Sequence, residues 1–167
     1  LEDYMFTETK SNLLCHQVKQ RIFDGTPHEK IDPYLLMFTR VQEFFSNTKK
    51  DPEVDALRAA FYLKVGTQVS GKELENGSSH WKKIILIQML KDWGWDGAKV
   101  DHINKYYIDW QMNQKVELGD RINKILMSSY KHISEKNSTL DASETLITEK
   151  DTNLLGRKLF SAYRTAP

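Results

Sequence analysis

Apolar residues recur at helical spacing along most of this chain, and short polar segments separate the apolar runs. The first such face, predicted in a helix over residues 7–23, consists of Leu14, Cys15, Val18 and Ile22. Asp32-Pro33 and Asp51-Pro52 then predict the starts of two helices, because Asp caps free N–H groups and Pro suits the first helical turn. No long stretch alternates with period two, so the pattern predicts an all-α fold without a sheet.

The aromatic residues concentrate in residues 80–110, which contain Trp81, Trp93, Trp95 and Trp110, the four tryptophans of the chain. The spacing predicts helices over 80–93 and 98–117, joined by the tight turn WGWDG, with Asp96 as the cap of the second helix. Aromatic side chains bury large areas. We therefore expect a single globular bundle of five to seven helices, with this aromatic-rich helical hairpin at its centre.

Three polar segments suggest how the chain is organised. Residues 70–79 form the clearest predicted loop, and Gly119-Asp120 separates a further predicted helix over 120–134 from the one before it, unless the two continue as one bent rod. We assign residues 1–137 to the core of the bundle. Residues 138–167 are predicted to form a polar linker and a C-terminal amphipathic helix, packed on or swapped from the same domain. Because the chain starts at Leu1, we expect an excised domain or a processed product.

Charge and composition narrow the classes of partner. The chain has 24 basic and 23 acidic side chains, a net charge of +1, and mixes both signs along most of its length. Nucleic-acid binders usually cluster their basic groups, so nucleic acid is the less favoured partner. No apolar run reaches the roughly 18 residues of a membrane span. With Cys15 as the one cysteine, no intrachain disulfide can form, and we expect an intracellular protein, cytoplasmic or nuclear.

None of the candidate chemical motifs satisfies its own requirements. Counting Asp92 as the first position of a calcium loop places Ile103 where the loop needs a glutamate. His132 and Glu135 have a spacing found in di-metal bundles, but no Glu-x-x-His pair is present to complete such a site. Cys15 lies on an apolar face, which is typical of an inert thiol. The sequence thus predicts no catalytic residue, metal or cofactor, and identifies no family.

The first functional hypothesis is a non-catalytic module for protein–protein interaction or assembly. Its partner would be another protein or a second copy of the chain, held by an apolar groove or an aromatic helix face. Surplus exposed aromatic residues mark interfaces, and the predicted anchors are Phe44, Phe45, Trp93 and Trp95. The alternative for these four residues is burial, since a wide apolar stripe also marks a central helix.

Two further hypotheses stay open at this stage. A nucleic-acid-binding or nucleocapsid-like protein would stack bases on the Trp and Tyr residues of 81–107. The basic side chains that would hold phosphates are Lys82, Lys83, Lys105, Arg157, Lys158 and Arg164. An enzyme whose polar groups come from separate helices is the third hypothesis, because site residues need not be neighbours in the chain.

Overall fold

The computed structural model describes residues 13–26, 32–47, 51–138 and 149–164, and within these ranges the only regular structure is α-helix. Its helices are α1 Leu14–Phe23, α2 Pro33–Asn47, α3 Asp51–Val65, α4 Gly71–Asn76, α5 Trp81–Asp92, α6 Gly97–Asn104, α7 Met112–Ser138 and α8 Glu149–Arg164. The predicted all-α class is confirmed. The eight helices in the described ranges exceed the predicted five to seven.

The helices belong to two compact units. Residues 1–54 and 121–167 form the first unit, and residues 55–120 form the second. The division falls inside α3 after Val54 and inside α7 after Asp120. Each unit has buried apolar side chains of its own.

The first unit buries apolar residues from α1, α2 and α7, among them Leu14, Phe38, Phe45, Ile125 and Ile133. The ring of Phe44 meets Phe45 edge-on, with centroids 5.4 Å apart, and lies 5.7 Å from the ring of His132. An ion pair joins Nζ of Lys124 to Oε1 of Glu53 at 3.5 Å. Both residues lie close in the sequence to the points where the chain passes between the units. Apolar residues at helical spacing in α2 thus lie in the core of this unit, as the apolar pattern predicts.

The second unit contains the predicted aromatic-rich hairpin, formed by α5 and α6. Gly94 supplies the turn, with a φ of 71°, a left-handed conformation that glycine adopts without steric cost. Asp96 caps α6 as predicted, since its Oδ1 accepts a hydrogen bond from the backbone N–H of Lys99 at 2.8 Å. Buried residues from both helices and the turn form the core of this unit, namely Leu86, Ile87, Leu90, Trp93, Trp95, Val100 and Ile103.

Two predicted boundaries are wrong. The segment predicted as a loop over 70–79 contains α4, because Ser70 and Glu73 form a capping box in which each side chain accepts from the other's backbone N–H. The predicted helix over 98–117 instead ends at Asn104, and α7 begins at Met112 and continues past Gly119. A single glycine costs a helix only about 1 kcal/mol, so Gly119 does not end it.

The structure describes only part of the predicted C-terminal segment, residues 138–167. Residues 149–164 form α8, which lies within the predicted C-terminal segment, while residues 139–148 and 165–167 lie outside the described residues. In the ranges that the structure describes, we find no helix with the length and apolar character needed to cross a membrane.

Candidate functional site

The buried hydroxyl of Tyr62 is the centre of a hydrogen-bond network in the second unit. It accepts a hydrogen bond from the backbone N–H of Val69 at 2.9 Å and donates to Oδ1 of Asn104 at 2.8 Å. The amide of Asn104 in turn donates to the carbonyl of Val69 at 2.8 Å. Burial raises the pKa of Tyr62, partly offset by its bonds to Val69 and Asn104, so the hydroxyl keeps its proton and its role as a donor.

Two helix starts approach each other closely beside this network. A Cβ atom on Gly97 would lie 3.2 Å from the Cα atom of Gly71, closer than side chains normally come to backbone. The backbone N–H of Gly71 donates to Oδ1 of Asp101 at 3.0 Å. The first residues of α4 and α6 are therefore held together by backbone contact and by a carboxylate.

An ion pair holds α4 to α5. Nζ of Lys83 lies 2.7 Å from Oε1 of Glu73, which also accepts from the backbone N–H of Ser70 through Oε2 at 3.0 Å. The Lys83 hydrogen bond, followed by the Ser70 bond, lowers the pKa of Glu73 from 4.5 to about 2. Glu73 is therefore ionised at neutral pH, with its charge used inside the unit.

A second carboxylate organises the tryptophans. Oδ1 of Asp55 accepts from Nζ of Lys99 at 2.7 Å and from the indole N–H of Trp95 at 3.3 Å. The Lys99 ammonium also lies 4.7 Å from the centre of the Trp95 ring, within cation–π range. Trp93 packs edge-on against Trp95 at 5.2 Å. These contacts seat both rings in the core.

Residues 102–116 of the second unit combine packed aromatic rings with exposed apolar side chains. The ring of Trp110 stacks on His102 at 5.1 Å and meets Tyr106 at 5.0 Å, while Tyr106 meets Tyr107 at 4.9 Å. Exposed apolar side chains follow these rings along the chain, and we refer to the set as the turn surface: Tyr107, Ile108, Met112 and Val116. No sequence motif marked this surface.

Comparison with known proteins identifies the family. The profile of the second domain of class-I adenylate cyclases matches residues 1–167. The chain belongs to this class-I adenylate cyclase family. It is 29% identical to adenylate cyclases of Salmonella typhimurium and Escherichia coli K12, and 27% identical to that of Proteus mirabilis. Each alignment covers the whole chain but 19% of the relative, so the chain spans about a fifth of their length. No solved structure matches it.

This membership corrects the functions inferred from sequence. The non-catalytic interaction or assembly module is wrong, because the family and the names of the relatives point to an enzyme. The same finding overturns the nucleic-acid-binding or nucleocapsid-like alternative. The sequence analysis found no motif that identifies this family, whereas the family profile compares residues along the whole chain, 1–167.

The structure places three of the four predicted partner anchors in the core. Phe45 is 2% exposed, and Trp93 and Trp95 are buried, while Phe44 is half-buried against Phe45. Burial was the alternative that the sequence left open for them. Their wide apolar stripes therefore reflect central packing within each unit.

The predicted phosphate-binding residues are divided between the two units. Lys82, Lys83 and Lys105 belong to the second unit, and Arg157, Lys158 and Arg164 belong to the first. Lys83 is paired with Glu73, Lys105 lies 3.8 Å from Asp109, and the Lys82 ammonium lies 5.4 Å from the Trp81 ring. Arg157 and Lys158 are exposed on α8, and Arg164 is the last residue of that helix.

Sequence reasoning missed the residues that organise the second unit: Tyr62, Gly71, Gly97, Asp101 and Asn104. Only the capping box had a readable local signal, Ser70-x-x-Glu73. The other contacts join residues far apart in the chain, which periodicity does not report. The described residues contain no group of three or more His, Cys, Asp or Glu side chains placed to share a metal ion.

Proposed function

We propose that this chain works as a domain of a class-I adenylate cyclase, an enzyme that converts ATP into cyclic AMP and pyrophosphate. The observation that carries the proposal is the family match over residues 1–167. Alignments that cover the whole chain with adenylate cyclases of several bacteria support it. Because the chain spans about a fifth of those relatives, the activity belongs to the complete polypeptide, to which this domain contributes.

The contacts of the second unit support a defined contribution. Its buried and half-buried polar groups are joined in pairs that fix the positions of α3, α4, α5 and α6. These pairs limit the movement of the four helices relative to one another. Active sites depend on surrounding residues that hold the reacting groups within about 0.5 Å of the productive geometry. We infer that cyclase activity depends on the contact of α4 with α6 at Gly71 and Gly97, which we call the frame.

The experiment uses the complete natural polypeptide that carries this chain, produced in cells without an adenylate cyclase of their own. The purified protein is given ATP and a divalent cation, and cyclic AMP is measured by chromatography. Gly97→Val forces a branched side chain against the backbone of Gly71. Its matched control is Gly119→Ala, because a Cβ atom there meets nothing within 4 Å.

We expect the natural protein and Gly119→Ala to form cyclic AMP, and Gly97→Val to lose at least tenfold in activity. A folded natural protein that forms no cyclic AMP would overturn the proposal. If Gly97→Val remains fully active while the natural protein is active, the cyclase assignment stands and the dependence on this frame is rejected.

A further inference from the structure

We propose that the turn surface docks against another domain of the same adenylate cyclase polypeptide, one that lies outside residues 1–167. This inference rests on the proposed function and deepens it, because it names the surface through which the second unit joins the enzyme. The surface consists of Tyr107, Ile108, Met112 and Val116, which the structure leaves exposed.

The degree of exposure is the first argument. Tyr107 is 73% exposed, Ile108 83% and Met112 74%, although each carries a large apolar side chain. Single exposed apolar residues are ordinary, but several within one short segment are typical of a contact with another molecule or domain. Met112 and Val116 are one turn apart on α7 and so share a helix face. Tyr107 and Ile108 come immediately before this helix.

The rigidity of the segment is the second argument. Backbone N–H groups of Ile108 and Asp109 donate to the carbonyl of Lys105 at 2.9 and 2.8 Å. The indole N–H of Trp110 donates to the carbonyl of His102 at 2.8 Å. Tyr107 and Ile108 thus project from a turn that is already ordered, and docking then loses little conformational entropy.

The charges beside the surface indicate what covers it. Lys105 is paired with Asp109, and the ammonium of Lys115 lies 5.7 Å from the centre of the Tyr106 ring. Each of these two cations therefore has a neighbour within the unit, an acidic side chain for Lys105 and an aromatic ring for Lys115, which suits an apolar contact. Phosphate groups or an acidic peptide would instead need a cluster of available cations.

The length of the relatives favours a domain of the same polypeptide over a second copy. About four-fifths of each adenylate cyclase relative lies outside the region aligned with this chain. A domain of the same polypeptide is covalently linked to the second unit and meets the turn surface at a high effective concentration. A modest apolar contact is then enough to hold the two together. A second copy has no such advantage and is kept as an outcome of the test.

The test is hydroxyl-radical labelling of the complete polypeptide, read by mass spectrometry at Tyr107 and Met112. Labelling rates are divided by those of the same peptides in the unfolded polypeptide, which gives a protection factor for each side chain. The variant Ile108→Asp places a charge on the surface. Its matched control, Ile84→Asp, places the same charge at a half-exposed position of α5 in the same unit.

We expect at least fivefold protection of Tyr107 and Met112 in the natural protein, independent of protein concentration. Ile108→Asp should remove most of this protection, and Ile84→Asp should retain it. Protection near one would overturn the inference, as would protection unchanged by Ile108→Asp. Protection that rises with protein concentration would assign the surface to a second copy and also reject the proposed occupant.

Cyclic AMP formation is measured on the same preparations to keep the two proposals distinct. An active natural protein with an unprotected turn surface rejects the docking inference alone. A protected turn surface in a folded protein that forms no cyclic AMP rejects the cyclase function alone, because docking is then observed without the activity.

Discussion

A Cβ atom added to Gly97 would lie 3.2 Å from the Cα atom of Gly71, so the first residues of α4 and α6 are in backbone contact. The N–H of Gly71 completes the contact by donating to Asp101 on the second turn of α6. A side chain at either glycine would require the neighbouring backbone to move by a few tenths of an ångström. The pair therefore sets how α4 lies against the aromatic hairpin.

Gly97→Ala is expected to lower the free energy of unfolding of the 167-residue chain by about 1–3 kcal/mol, the usual cost of overpacking. Alanine is the better helix former, so the loss would come from the contact with Gly71. Gly119→Ala is the control, since its new methyl group enters open space in α7 and should stabilise by about 0.5–1 kcal/mol. Urea unfolding followed by circular dichroism checks both variants. Equal stabilisation by the two changes would show that the contact with Gly71 does not penalise a side chain at position 97.

Removing the Tyr62 hydroxyl should destabilise the second unit. Tyr62→Phe leaves the N–H of Val69 without its acceptor and Oδ1 of Asn104 without its donor, and buried unpaired groups cost about 1–3 kcal/mol. Tyr107→Phe removes the same atom from an exposed ring and should change stability by less than about 0.5 kcal/mol. Urea unfolding of both variants is the measurement, and similar small changes would show that the Tyr62 network adds nothing.

The ion pair of Glu73 predicts a pH dependence of stability. Its pKa in the folded chain is lowered from 4.5 to about 2, so the folded state stabilises the carboxylate. The stabilisation is fully present above pH 4.5 and is lost as the pH falls from there toward 2. The difference in unfolding free energy between the natural chain and Glu73→Gln should shrink across this window.

Lys83 is the largest cause of the lowered pKa, which supplies the control for this experiment. In a Lys83→Met background the same Glu73→Gln comparison should show a clearly weaker pH dependence, leaving mainly the part due to Ser70. A difference between the natural chain and Glu73→Gln that stays constant from pH 6 to pH 2 would contradict the lowered pKa.

Local features of the fold were predictable because they depend on neighbouring residues. Asp32 accepts from the backbone N–H of Leu35 at 2.9 Å, and Asp96 accepts from Lys99, so two of the three predicted Asp caps are confirmed. At the third position α3 begins at Asp51 itself, one residue earlier than a cap at Asp51 implies. The hairpin of α5 and α6 followed from apolar spacing and the glycine turn. The capping box of Ser70 and Glu73 was equally local, and missing it placed a loop where α4 stands.

The organising contacts were not predictable by the same means. The hydrogen bond from Tyr62 to Asn104 and the contact of Gly71 with Gly97 join residues that only the folded arrangement brings together. Apolar spacing also cannot tell a core aromatic residue from an exposed anchor, since both lie on wide stripes. For Phe45 and Trp95 the sequence therefore left two alternatives, a surface anchor and burial, and the structure buries both side chains.

The clearest test of this burial compares two phenylalanines of the first unit. Phe45 is 2% exposed and packs against Phe44, whereas Phe23 is 87% exposed at the end of α1. Phe45→Ala should cost about 3–5 kcal/mol, because it removes buried apolar area and leaves a cavity. Phe23→Ala deletes the same atoms from a side chain already in water and should change stability by less than about 0.5 kcal/mol.

Thermal and urea unfolding of the two variants separate a core role for Phe45 from an anchor role. A core residue lowers the stability of the isolated chain when it is truncated, whatever else is present in solution. A pure surface anchor would leave that stability unchanged, so a Phe45→Ala variant as stable as Phe23→Ala would return Phe45 to the surface. A large difference between the two would show that the wide apolar stripe of α2 serves the core of its own unit.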